Sequence, residues 1–119
     1  MIVNNRKAYY EFHIHEEFEA GVVLVGSEVK SIRMGNVTLA DSFIYLKDGE
    51  VWLKNMNVAR YKSSHPLTKH DENRDKKLLL NRKEINRIER KLQDKGTTAI
   101  PLTIFIKKNR IKIKIGLAT

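Results

Sequence analysis

Two alternating runs joined by a tight turn constrain the fold of this chain more than any other feature. "DSFIYLKDGEVWLKNM" puts Ile44 and Leu46 on one face of an extended segment and Val51 and Leu53 on one face of the next, with Asp48-Gly49 between them. Asp-Gly tolerates the positive φ angles of a two-residue hairpin, so the pattern predicts antiparallel strands with matched apolar faces. A second pair is predicted in "TTAIPLTIFIKKNRIKIKIG", around a turn from Lys107 to Arg110. There "RIKIKIG" alternates Ile111, Ile113 and Ile115 with Arg110, Lys112 and Lys114, sending isoleucines to a core and cations to the opposite face. A solvated strand face, with lysines that discourage edge aggregation, would give the same pattern.

The remaining segments are predicted from the same periodicities. "AYYEFHIH" reads as a strand with Tyr10, Phe12 and Ile14 on one face, "EEFEAG" as a short acidic helical turn stopped by Gly21, and "VVLVG" as a strand buried on both faces. "SEVKSIRMG" predicts a short helix with Ser27 as N-cap, Val29 and Ile32 on its apolar face and Gly35 as its stop. Residues 61–77, "YKSSHPLTKHDENRDKK", read as a long polar loop. "LLLNRKEINRIERKLQDKG" is the one long helix, with an Asn81/Glu84 capping box and an Ile85, Ile88 and Leu92 stripe. About six short strands, one long helix and one or two short helices predict a mainly β fold, a closed or partly open antiparallel barrel. At 119 residues it is expected to be a single domain, residues 1–119.

Charge is divided unevenly. Residues 1–60 carry 7 Lys and Arg against 8 Asp and Glu, net −1, whereas residues 61–119 carry 16 against 6, net +10. A basic half of this kind is an electrostatic footprint for a polyanion, nucleic acid first. On composition alone, a general RNA-binding barrel or a module docking on an acidic protein fits as well.

Other chemistries find little support. There is no cysteine, which excludes disulfides and thiolate catalysis and favours the cytoplasm. No apolar run approaches the roughly 18 residues of a membrane span, and the amino terminus "MIVNNRKAYY" lacks the apolar core of a secretory signal, so no membrane partner is expected. His13 and His15 share a strand face, and His65, His70 and Asp71 sit in the polar loop, but nothing fixes the two groups together. No metal or cofactor is expected. Glu16, Glu17 and Glu19 form a solvated cluster, and no phosphate-binding glycine loop or nucleophile motif is present, so no enzyme activity is expected. Of the aromatic residues, Tyr9, beside Arg6 and Lys7, is the one expected in solvent.

"NRKA" at 5–8, "EEFEAGVVLVGSEVKSIRMG" at 16–35, "DSF" at 41–43, "KDGE" at 47–50, "KKLLLNRKEI" at 76–85 and "KIKIGLA" at 112–118 together resemble the SmpB family of bacterial SsrA-binding proteins. The likeness runs along essentially the whole chain. It implies an oligonucleotide-binding-like barrel with helices around it, and a monomer. It implies binding to the tRNA-like domain of transfer-messenger RNA and delivery to stalled ribosomes, where the protein stands in for the anticodon arm during trans-translation. The family's RNA-binding positions fall on Glu19, Leu79 and Lys112. Lys112 can neutralise a phosphate, Leu79 can pack on a base or sugar, and Glu19 can accept from a base amino group or hold a neighbouring cation. Arg110 and Lys114 share the side of Lys112, and Lys7 of "NRKA" is a further candidate contact. Where the family commonly has Arg-His, this chain has Tyr9-Tyr10, and Tyr10 takes the position brought to the small-subunit decoding region. Family members continue past "GLA" with a Lys-rich tail, so this sequence is expected to bind RNA yet fail in tagging.

Overall fold

The structure is a computed structural model and describes residues 2–60 and 71–119. In chain order its elements are β1 (Val3–Asn4), α1 (Arg6–Glu11), β2 (Ile14–Val22), α2 (Gly26–Arg33), β3 (Val37–Thr38) and β4 (Phe43–Lys47). Then follow β5 (Glu50–Lys54), β6 (Asn57–Val58), β7 (Lys76–Leu79), α3 (Arg82–Leu92), β8 (Thr98–Lys107) and β9 (Arg110–Ala118).

Both predicted hairpins form. Ile44 pairs with Leu53 and Leu46 with Val51, around Asp48 and Gly49 at φ +53° and +73°. The β8–β9 turn uses Lys108 and Asn109 at φ +51° and +63°. Among the described residues, seven strands form one antiparallel sheet in the order β1-β8-β9-β2-β7-β5-β4, and β3 and β6 pair separately. The mainly β fold with helices is therefore as expected, but the sheet does not close into a barrel by hydrogen bonding. β4 comes against β8, whose edge is already taken by β1 through Val3–Ile104 and Asn4–Thr103.

The inner face carries the core: Ala20, Val51, Leu78, Ile104 and Ile113, covered by Ile32 of α2 and by Ile85 and Ile88 of α3. The helix α3 has the predicted capping box, with the Glu84 N–H donating to Asn81 Oδ1 at 2.9 Å and the Asn81 N–H to Glu84 Oε1 at 3.1 Å. On the outer face α1 roofs one end, setting Ala8 on Ile100, Leu102 and Ala118. Gly116 lies under this roof, where a Cβ would stand 2.8 Å from Leu102 Cδ1. The other end of the outer face is open.

Several local expectations are overturned. Arg6–Glu11 is a helix because Asn5 caps it, accepting from the Ala8 N–H, and because Ala8 finds the second cluster. "EEFEAG" is strand: pairing with β9 from Glu16–Leu117 to Gly21–Lys112 outweighs its local helical character. Val23 and Val25 are exposed, since β2 ends at Val22 to lead into α2. That helix begins after Val25 rather than Ser27, with Glu28 Oε1 accepting the Val25 N–H at 2.9 Å. Leu78 and Leu79 are strand because the Asn81 cap starts α3 after them, and Lys76 and Lys77 belong to the same strand. The rest of the predicted 61–77 loop, with His65 and His70, lies largely outside the described residues.

A buried ionic cluster fixes α2 against the approach to β7. Glu28 and Lys76 are both fully buried. Arg74 donates through Nη2 to Glu28 Oε1 at 2.6 Å and through Nε to Oε2 at 3.2 Å, and Lys76 Nζ stands 3.8 Å from Oε2. Lys76 also donates to the Arg74 carbonyl at 2.6 Å and the Met56 carbonyl at 3.3 Å. Burial pushes the Glu28 carboxyl up, but the Arg74 hydrogen bonds, the Val25 N–H and the charges of Arg74 and Lys76 outweigh it and hold the group below its ordinary value. Burial pulls Lys76 below the ordinary lysine value, against the charge of Glu28.

Candidate RNA interface

Gly21 sits in the ladder between Leu79 on β7 and Lys112 on β9, and Phe105 on β8 continues the same row. Partners across an antiparallel sheet share a face, so Leu79, Lys112 and Phe105 stand on the outer side with a gap at the glycine. A cleft of about 320 Å³ opens there, where β2 leaves for α2 beside the β8–β9 turn. Val22, Leu24, Val29 and Ile111 give it hydrocarbon walls, while Arg33, Arg110 and Lys112 supply cations. Among the described residues, no carboxylate lines it. Leu79 is 52% exposed, an apolar group that its strand leaves in water.

Neighbouring charges are distributed selectively. Lys107 Nζ meets Glu19 Oε2 at 3.0 Å, and Lys114 Nζ meets Glu17 Oε1 at 3.7 Å. Among the described residues, Lys112 and Arg110 have no ion pair. Arg33 spends its Nη2 on neutral acceptors, the Asn109 carbonyl and Oδ1, each at 3.3 Å. Positive potential is thus focused at the cleft rather than spread along the strand.

The structure brings Leu79, Lys112 and Arg110 to one cleft and places Glu19 two residues from Gly21 on the same strand face. Lys114 lies outside the cleft lining, paired to Glu17. Lys7 belongs to a different groove on α1, with Asp41 at 3.6 Å and Glu11 at 3.8 Å. Tyr10, which the strand reading put beside Phe12 and Ile14, is instead 90% exposed on α1, twice as exposed as Tyr9 at 45%. His13 and His15 stack edge to face at 4.7 Å between centroids, and no three potential metal-ligating side chains converge among the described residues. Gly21 and Arg33 were not singled out as site residues from sequence. Arg33 is a cation in the last turn of α2, and only the packing of that turn on Asn109 brings it to the cleft.

Known proteins resemble the chain over its whole described length. The model of the SmpB protein family matches residues 2–119. An SsrA-binding protein of Syntrophomonas wolfei subsp. wolfei is 48% identical over 117 residues, 98% of this chain and 74% of that protein. One of Carboxydothermus hydrogenoformans is 46% identical over 118 residues, 99% of this chain and 78% of its own. A solved chain described as "tmRNA-SmpB: a journey to the center of the bacterial ribosome" matches with a TM-score of 0.81 at 38% identity, covering 98% of this chain and 81% of that one. A sheet with these registers, a cationic cleft beside Leu79 and a family match from residue 2 to residue 119 lead to one assignment: the chain belongs to the SmpB family.

Proposed function

We propose that this protein binds the tRNA-like domain of transfer-messenger RNA and delivers it to stalled ribosomes for trans-translation, its body standing in for the anticodon arm. The observation that carries this reading is the convergence of Leu79, Lys112 and Arg110 on one cleft whose cations have no carboxylate partner among the described residues. Lys112, Arg110 and Arg33 meet phosphates, which supplies affinity but little sequence information. Leu79 packs on a sugar or base, and Glu19 holds Lys107 beside them. Lys114, partly neutralised by Glu17, adds less to the positive field than Lys112 does.

A second surface supports the ribosomal half of the reading. Tyr10 presents its ring on α1, away from the cleft lining, where it stacks on a base of the small-subunit decoding region, with Lys7 alongside. One RNA can therefore be held while another is met. Such work is binding, carried out in the cytoplasm, and it requires no proton transfer or nucleophile.

The test is a gel-shift competition at fixed moderate salt between the tRNA-like domain and an unrelated structured RNA. Preference for the tRNA-like domain is expected. Equal affinity for both would leave only a general RNA-binding sheet, and binding to neither would reject an RNA partner.

A further inference from the structure

The outer faces of β4 and β5 carry another surface, whose rings and lysines are not among the residues lining the cleft. Ile44, Leu46, Val51 and Leu53 turn toward the core, so Phe43, Tyr45 and Trp52 stand on the opposite side of the sheet. Tyr45 pairs with Trp52, Trp52 with Lys77 and Phe43 with Lys54, which sets three rings and two lysines side by side. None of these rings belongs to a core cluster: Phe43 is 39% exposed, and Tyr45 and Trp52 are half-buried. Phe43 and Tyr45 lie 6.4 Å apart between centroids, tilted by 52°. The Tyr45 hydroxyl donates to Asp75 Oδ2 at 2.8 Å, which holds its ring in place.

Charge around the rings favours an anion. Lys47 and Lys54 have no ion pair among the described residues. The neighbouring carboxylates are engaged, Asp75 by Tyr45 and Glu50 by Lys77 at 3.9 Å and Arg82 at 3.7 Å. An acidic peptide would use the lysines and leave the ring faces in water. Unpaired nucleotides use both, because every base has a π-face and every linkage a phosphate. We propose that β4 and β5 form a platform for single-stranded RNA, with bases stacked on Trp52 and Phe43 and phosphates at Lys54 and Lys77. Paired RNA does not fit this chemistry, since its bases are already stacked on one another. The platform is separate from the cleft and does not rest on the reading given for it.

Trp52 is the single tryptophan of the chain, so its fluorescence reports on this platform and on no other surface. Titration of the whole chain with a short oligoadenylate should quench that fluorescence saturably. A blunt, fully paired RNA duplex at the same phosphate concentration should leave it unchanged. Phe43→Ala removes an exposed ring without opening the core and should weaken the oligoadenylate titration on the order of tenfold, the scale of one stacked base. Lys54→Ala, at an exposed position on the same face, should weaken it by less and reduce its dependence on salt. No quench by oligoadenylate, equal quench by the duplex, or unchanged affinity in both variants overturns the platform. Failure of the tRNA-like domain to bind, with the oligoadenylate quench intact, would sink the reading of the cleft and leave the platform standing.

Discussion

Lys107 Nζ lies 3.0 Å from Glu19 Oε2 and 3.3 Å from Oε1, a contact that reaches across β9 from β8 to β2. A carboxylate beside RNA would ordinarily repel phosphate, and this pairing removes the objection. Glu19 is neutralised locally and fixes the direction of a lysine on the outer face of the sheet.

Glu19→Gln should therefore weaken binding to the tRNA-like domain about threefold, and Lys107→Ala should do much the same, because the pair is partly exposed and screened. The double variant should bind no more weakly than either single one. Such a cycle, read by fluorescence titration, separates positioning from contact. Additive losses would mean that Glu19 touches the RNA itself.

Lys112 and Lys114 are two residues apart on one strand face, yet among the described residues only Lys114 has a carboxylate partner, Glu17 at 3.7 Å. Lys112→Ala should lower the slope of log affinity against log salt by about one, as expected for a single lost phosphate contact. Lys114→Ala should change the slope by less, since its charge is partly spent before RNA arrives. Equal slopes for the two variants would show that Glu17 lets go on binding.

The buried cluster behind the cleft should govern acid stability. Glu28 has its carboxyl held below the ordinary value, so its stabilisation is present above the unfolded-state pKa and is lost as pH falls through the folded one. Lys76 runs the other way: its folded value is depressed, so stability rises with pH between that value and the ordinary lysine range. Glu28→Gln leaves Lys76 buried without its counter-charge and should cost about 3–5 kcal/mol. Denaturant melts from pH 3 to pH 7 should show a steep acid loss in the parent and a flatter one in the variant. Parallel curves would assign the acid loss to other carboxylates.

What the sequence made legible was whatever local chemistry decides. Asp48-Gly49 specifies its hairpin without help from the rest of the chain, and Asn81 with Glu84 specifies where α3 begins. The misread segments are those decided by distant partners. "EEFEAG" has the composition of a helical turn but lies along β9, nearly a hundred residues away, and Leu79 joins a sheet between β2 and β5. The cleft followed the same division. Lys112 and Arg110 were visible as an alternating cation row, and Leu79 and Glu19 came through family resemblance. The roles of Arg33 and Gly21 depend on packing that no local pattern encodes.

Tyr10 is the sharpest test of two separate surfaces. It is 90% exposed on α1, and it lines neither the cleft nor the core. If its ring stacks on a ribosomal base, Tyr10→Ala should leave affinity for the isolated tRNA-like domain unchanged while weakening association of the protein–RNA complex with stalled ribosomes about tenfold, as for the loss of one stacked base. Tyr10→Phe should behave like the parent, because stacking needs the ring and not the hydroxyl. Equilibrium binding to the RNA and pelleting with ribosomes read the two effects independently. A fall in RNA affinity with ribosome association otherwise unchanged would move Tyr10 to the transfer-messenger RNA side, and α1 would then extend the cleft's own surface.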